Sequence, residues 1–133
     1  MAKQLGVCSM AYEIPVYIRD SVSVVGKKEN EGPLKGLFDY VTEDDYMGQK
    51  TWEEGENELV KKAISLLLAR NPQEASRVRY LLGGDLLGQG IGTSFGVEQF
   101  HLPFFGLYAA CSTSGEGLLL GSALLEATGA DYL

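Results

Sequence analysis

The most regular pattern of apolar and polar positions lies between residues 52 and 70. Apolar side chains recur there at helical spacing, namely Leu59, Val60, Ala63, Ile64, Leu67 and Leu68. Thr51 and Glu54 have the spacing of a capping box, and Asn71-Pro72 ends the pattern. The sequence therefore predicts a helix from about Trp52 to Arg70 that packs on the protein through one face.

Short apolar runs alternate with helical patterns through the rest of the chain. The predicted elements are strands at 21–25, 78–82 and 104–110, a loop or short helix at 34–47, a helix at 94–101 with Ser94 as its N-cap, a helix from Cys111 to about Thr128, and the first residues of a further strand at 131–133. Alternating strands and helices are typical of an α/β fold with parallel strands.

The helix predicted after Cys111 is apolar on every side between residues 118 and 127. A helix of this kind is buried by a layer above and a layer below it. The predicted strands, however, make about one sheet. We therefore expect residues 1–133 to form a single half-domain, whose second half is missing from this chain or is supplied by another copy in a homo-oligomer.

Composition and charge exclude several classes of protein. The chain has 133 residues, of which 45% are hydrophobic, so it is expected to form one domain with a packed core. Its net charge of −7 argues against nucleic acid and against charge-driven binding to an anionic membrane. Two cysteines are too few for a disulfide framework, and residues 1–11 have no secretory signal. We expect a cytoplasmic protein.

Cys111 is the leading candidate for a functional residue, because it follows a predicted strand and precedes a predicted helix. The amides and dipole at a helix N-terminus favour a thiolate and also bind anions. Cys111 is therefore either a nucleophile or part of an anion pocket, with a buried structural cysteine as the alternative.

Asp85 and Gln89 follow the strand predicted at 78–82. Ligands of parallel α/β sheets bind beyond the carboxyl ends of the strands, so Asp85 and Cys111 are expected to share one edge. A turn aspartate that bonds its own backbone is the alternative for Asp85.

Two other motifs are weaker. Residues 92–96 (GTSFG) have the spacing of the nucleophile elbow of α/β-hydrolases, but no apolar strand precedes them, and a glycine-rich turn is favoured. One histidine, His101, and two distant cysteines do not have the spacing of a zinc site, so no metal site is predicted. The glycines at 88, 90 and 92 do not match a nucleotide-binding motif.

Four stretches resemble a known family in the family's own order. They are Glu31-Gly-Pro-Leu34, residues 47–53 (MGQKTWE), residues 83–89 (GGDLLGQ) and the run Ala-Cys-Ser-Thr-Ser that contains Cys111. The block 103–114 resembles the nucleophile segment of the thiolase-like condensing enzymes. As a set the stretches are similar to a non-enzymatic branch of them, the stage V sporulation protein AD family.

This resemblance implies a fold, a function and a site. The fold is the N-terminal half of a layered α/β/α/β/α structure, in which the helix after Cys111 lies between two sheets. The function is binding of dipicolinic acid, without catalysis, together with other proteins of the spore dipicolinate channel, peripheral at the inner membrane of the forespore or spore. Cys111 takes the nucleophile position, and Asp85 and Gln89 lie in a matching stretch.

The charge and shape of dipicolinate indicate which groups would contact it. Dipicolinate is a flat dianion, and the amides of Ser112, Thr113 and Ser114 are expected to hold one of its carboxylates. No cofactor is expected apart from calcium that accompanies the ligand. The histidine or asparagine that completes a condensing-enzyme site is not found after Cys111. An acyl-transfer condensing enzyme with a Cys111 nucleophile is the alternative function, and a purely structural subunit is the third.

Overall fold

The structure is a computed structural model that describes residues 2–133. Its elements are β1 (Lys3–Leu5), β2 (Ser9–Ala11), β3 (Val24–Val25), β4 (Tyr40–Val41), α1 (Trp52–Arg70), α2 (Pro72–Ala75), β5 (Leu81–Gly83), α3 (Ile91–Val97), β6 (Phe104–Gly106) and α4 (Thr113–Thr128). Short 3-10 turns occupy Glu29–Glu31, Glu98–Phe100 and Ala110–Ser112. The mixed α/β architecture predicted from the sequence is confirmed.

The strands form small two-stranded sheets. β1 and β2 make an antiparallel hairpin, whereas β3 pairs with β4 and β5 pairs with β6 in parallel. In the β5–β6 pair, Leu81 lies opposite Phe104 and Gly83 opposite Gly106. Tyr132 forms a parallel bridge with Val78, which confirms that the last residues begin a further strand. The parallel pairing brings the carboxyl ends of β5 and β6 to one edge.

α1 has the bounds and the capping box that the sequence predicts. The Thr51 hydroxyl accepts a hydrogen bond from the Glu54 amide at 3.2 Å, and the Glu54 carboxylate accepts one from the Thr51 amide at 3.3 Å. α1 packs mainly on α3. The Gly92–Gly96 segment belongs to this contact, because a Cβ on Gly96 would lie 2.8 Å from the Val60 side chain.

The predicted start of α3 is wrong by three residues. α3 begins at Ile91 with Gly90 as its N-cap, and Ser94 lies inside the helix, where its hydroxyl donates to the Gly90 carbonyl at 2.6 Å. Residues 92–96 are therefore helical and form neither a turn nor a nucleophile elbow. The helix starts early because a side chain from outside it, Asp85, accepts hydrogen bonds from the amide of its N-cap residue Gly90 and from the amide of Thr93 in its first turn.

The predicted strands are longer than the observed ones. The strand expected at 104–110 ends at Gly106, because the chain turns before Cys111 and Ala110 has a left-handed φ of 52°. The strand expected at 78–82 is reduced to the bridge at Val78 and to Leu81–Gly83. Residues 34–47, expected to be a loop or short helix, contain β4.

Within the described residues α4 is covered on one side, although its sequence is apolar all round. Gly121 is its buried residue, whereas Leu118, Leu119 and Leu120 are 62%, 53% and 40% exposed. Among residues 2–133 it packs on β5, so only one layer lies against it. The apolar sequence of α4 shows that the helix can be buried on every side. It does not show which of its sides are covered by other elements of this chain. No helix in this described part of the chain is long and apolar enough to span a membrane.

Candidate functional site

The ends of β5 and β6 meet directly against the start of α4. The Leu107 amide donates to the Gly83 carbonyl at 2.8 Å, which continues the strand pairing by one residue. The next residue, Gly84, passes so close that a Cβ there would lie 2.0 Å from the Leu107 carbonyl oxygen and 2.9 Å from Cγ2 of Thr113. The chain segment that leads into Asp85 therefore touches the first residue of α4.

Asp85 organises the loop that follows β5. It is 7% exposed, and its Oδ1 accepts hydrogen bonds from the amides of Gly88 and Gly90 at 3.1 and 2.9 Å. Its Oδ2 accepts from the amide and the hydroxyl of Thr93 at 2.9 and 3.0 Å. Burial raises the pKa of Asp85, but the hydrogen bonds from Thr93, Gly90 and Gly88 outweigh burial and hold the pKa below its usual value.

The geometry of Asp85 is that of the turn aspartate considered as its alternative. Each carboxylate oxygen accepts two hydrogen bonds within the loop, so the carboxylate acts by fixing the backbone of residues 85–93. Any contribution of Asp85 to ligand binding passes through the shape of this loop. We call residues 85–93 the Asp85 loop.

Gln89 is exposed within the Asp85 loop and has a left-handed φ of 54°. Residues other than glycine adopt this conformation uncommonly, and here the neighbouring amides of Gly88 and Gly90 are both held by the Asp85 carboxylate. The loop therefore holds Gln89 in an unusual backbone conformation with an accessible amide side chain.

Cys111 lies in the 3-10 turn before α4 and is exposed. The turn is fixed by Thr113, whose hydroxyl accepts from the Ala109 amide at 3.1 Å and donates to the Ala110 carbonyl at 2.9 Å. The Ser112 hydroxyl also donates backwards, to the Ala109 carbonyl at 2.9 Å. The left-handed conformation of Ala110 is therefore imposed by its surroundings, a feature common at functional sites.

The first turn of α4 has no side-chain cap. Ser112 is the N-cap residue, but its hydroxyl is used in the preceding turn and does not bind the helix amides. The first amides of a helix have no partner inside the helix and lie at the positive end of its dipole. Ser112, Thr113 and Ser114, the residues predicted as ligand contacts, lie at this uncapped helix N-terminus. The Ser112 amide is not available to an anion, however, because it donates to the Ala109 carbonyl at 3.1 Å.

Comparison with known proteins agrees with this arrangement of motifs. The family model described as Stage V sporulation protein AD (SpoVAD) matches residues 6–133. The chain belongs to the stage V sporulation protein AD family. Over 124 residues it is 32% identical to Stage V sporulation protein AD of Bacillus subtilis (strain 168). That match covers 93% of this chain and 37% of the relative, so the chain spans little more than a third of the relative's length.

The candidate site of this stage V sporulation protein AD family member consists of residues 111–114, the Asp85 loop and the close contact at Gly84. The structure brings Gly84 against Thr113, and it places Gln89 at an exposed position in the same loop. Within residues 2–133, no cluster of three or more histidine, cysteine, aspartate or glutamate side chains is arranged to hold a metal ion. Glu116 is the acidic residue in the first turn of α4.

Proposed function

We propose that this sporulation protein binds dipicolinic acid at the candidate site, without catalysis, and that it does so as part of the spore dipicolinate transport machinery. The observation that carries the proposal is the uncapped N-terminus of α4 beside exposed residues 111, 112 and 114. Backbone amides at such a position are donors for a carboxylate, and the helix dipole favours the negative charge. One carboxylate of dipicolinate would accept from the amides of Thr113 and Ser114, because the Ser112 amide already donates to the Ala109 carbonyl at 3.1 Å.

Nearby side chains supply the remaining kinds of contact that a flat aromatic dianion needs. Tyr108 precedes Cys111 by three residues and is 60% exposed, so its ring is available to stack on the ligand. The amide of Gln89 is a neutral hydrogen-bond donor for a carboxylate. Asp85 would contribute indirectly, by holding the loop that carries Gln89.

The negative charge of the chain indicates that a cation accompanies the ligand. The chain has a net charge of −7, and Glu116 lies in the first turn of α4, so the surroundings oppose a free dianion. Calcium binds carboxylate oxygens readily, and we propose that it accompanies dipicolinate into the site. The rest of the pocket would come from the remaining part of the whole protein or from a second copy. Other channel proteins, at the inner membrane of the forespore or spore, would be its partners.

The proposal is tested by adding a negative charge at the helix N-terminus. In the full-length protein, Cys111→Asp is expected to weaken dipicolinate binding at least about tenfold, a change of about 1.4 kcal/mol, because its carboxylate competes with that of the ligand for the same amides. Isothermal titration calorimetry measures the affinity, with and without calcium. Because Cys111 is exposed, the variant is expected to remain folded, which circular dichroism checks.

Two variants serve as controls. Cys111→Ser keeps the size of the side chain and should bind dipicolinate like the parent protein. Cys8→Asp adds the same charge at the other exposed cysteine, in the turn of the β1–β2 hairpin, and should also leave binding unchanged. Equal affinity of Cys111→Asp and the parent would contradict the proposed site, and equal affinity with and without calcium would contradict the role of calcium.

The acyl-transfer alternative has one observation in its favour, namely an exposed Cys111 between strained Ala110 and the N-terminus of α4. A nucleophilic thiol needs a large thiolate fraction at neutral pH. Cys8 is an internal reference, since it is also exposed and free. For a binding protein we expect iodoacetamide to modify both cysteines at pH 7 with rates within about threefold. A rate at Cys111 more than about tenfold higher would favour the enzyme.

A further inference from the structure

Glu56 places a carboxyl group in the contact between α1 and α3. A Cβ on Gly92 would lie 2.6 Å from Oε2 of Glu56, so the carboxyl packs directly against the backbone of α3. Within residues 2–133, this Oε2 is buried and has no hydrogen-bond partner. A buried carboxylate oxygen without a donor is costly, whereas a protonated carboxyl group avoids most of that cost.

The charged groups around Glu56 are carboxylates. From the loop, Asp85 faces it with a carboxylate that is kept ionised by the four hydrogen bonds described above. From α1 itself, Glu53 adds a second negative charge. α3, over Ile91–Val97, contains no titratable residue. Burial first, and then the charges of Asp85 and Glu53, raise the pKa of Glu56 above its usual value.

We propose that Glu56 is a proton-binding group that links pH to the contact between α1 and the Asp85 loop. When Glu56 is protonated, a neutral side chain lies under Gly92. When it is ionised, an uncompensated charge lies beside Asp85 in the same contact. The consequence reaches the candidate site, because Gln89 belongs to the loop whose backbone Asp85 holds.

The direction of the pH effect follows from linkage. A carboxyl group whose pKa is higher in the folded than in the unfolded chain stabilises the fold fully below its unfolded pKa. That contribution is lost as the pH rises through the folded pKa. Glu56 should therefore weaken the fold, and the Asp85 loop in particular, as the pH rises above the usual glutamate range.

The test compares Glu56→Gln with the parent in the full-length protein between pH 5 and pH 8. Glutamine imitates the protonated carboxyl group at every pH. The thermal midpoint of the variant, relative to the parent, is expected to rise by about 3 °C over this interval. Glu98→Gln, at an exposed position, makes the same change in net charge, and its difference from the parent should stay constant. Hydrogen exchange, corrected for its intrinsic pH dependence, should show that the amides of Gly90 and Thr93 lose protection as the pH rises in the parent and in Glu98→Gln, but not in Glu56→Gln.

Each outcome decides the proposal. A difference between Glu56→Gln and the parent that is equal at pH 5 and pH 8 overturns it. A pH-dependent difference without any change at the amides of Gly90 and Thr93 overturns the link to the Asp85 loop. If Glu56→Gln does not fold, the carboxyl carbon of Glu56 in the parent is titrated by NMR. A midpoint within the usual glutamate range then overturns the proposal, and a higher midpoint supports it.

Discussion

Gly84→Ala is expected to destabilise the protein by about 3 kcal/mol or more, because the added methyl group would overlap the backbone. Its carbon would lie 2.0 Å from the Leu107 carbonyl oxygen and 3.0 Å from the Leu107 carbonyl carbon. A flexible side chain could move aside, but here the nearest atoms belong to the chain segment that pairs with β5. The strand ends must separate, and the contact with Thr113 is lost with them.

Urea unfolding of the parent and of Gly84→Ala, followed by circular dichroism, measures this loss. Gly115→Ala is the matched control, since Gly115 lies in α4 and a Cβ there would meet no atom within 4 Å. Alanine is favoured over glycine in a helix, so this variant should be unchanged or more stable by about 0.5–1 kcal/mol. A Gly84→Ala protein within about 0.5 kcal/mol of the parent would contradict the close approach.

The close contact at Gly84 also determines the geometry of the candidate site. The close contact aligns the Asp85 loop with the turn at 107–113, and no larger residue fits between them. A milder change that only widens this contact should weaken the proposed dipicolinate binding before it unfolds the protein, because binding geometry tolerates less displacement than folding does.

The sequence predicts α1 well because its signals are local. The capping box spans four residues, Thr51 to Glu54, and the apolar stripe repeats with the period of one helix. Both signals can be evaluated without knowing what the helix packs against. The observed bounds, Trp52–Arg70, therefore agree with the predicted ones.

The start of α3 and the end of β6 are not predictable in this way. α3 begins at Ile91 because Asp85, eight residues before Thr93, binds the amide and the hydroxyl of Thr93. β6 ends at Gly106, and the hydroxyl of Thr113 fixes the turn that follows. Local signals such as the spacing of capping residues or strand propensity carry no information about contacts between separate elements. The predicted ends of these two elements therefore differ from the observed ends.

Two glycines four residues apart, such as Gly92 and Gly96, are compatible with both a helix–helix contact and a nucleophile elbow. Gly92 and Gly96 lie one helical turn apart, and in the structure both face α1, where a Cβ would meet Glu56 and Val60. The same spacing occurs in a nucleophile elbow, in which the glycines relieve a strained turn. The lack of a preceding apolar strand argues against the elbow. No local pattern, however, predicts that these glycines contact α1 or that Gly92 lies against Glu56.

The sequence predicts that Asp85 and Cys111 follow parallel strands, but it does not predict the hydrogen bonds around them. Asp85 and Cys111 follow parallel strands, and the prediction that both lie at one edge rests on strand order alone. The full use of the Asp85 carboxylate inside its loop depends on backbone conformation, which residue types do not reveal. The role of Thr93 is not predictable from the sequence for the same reason, because its hydrogen-bond partner is determined by the folded loop.

Asp85→Ala is expected to lower the free energy of unfolding by about 3–4 kcal/mol, the second large effect in this protein. The substitution removes the acceptor for three backbone amides and one hydroxyl, and each buried donor left without a partner costs about 1–3 kcal/mol. The sum is reduced because an opened loop admits water. Asp131→Ala is the control, since Asp131 is 59% exposed and its solvent-screened ion pair with Arg77 should contribute little to stability.

The pH dependence of Asp85→Ala separates this role from that of Glu56. Because the pKa of Asp85 is lowered in the folded protein, its contribution is present above the unfolded value of about 3.9 and is lost as the pH falls below it. Glu56 has the opposite sign. Asp85→Ala also removes a charge that raises the pKa of Glu56, so Glu56→Gln should stabilise the Asp85→Ala protein less than the parent at pH 8. Equal effects of Glu56→Gln in both backgrounds would show that the two carboxyl groups act independently.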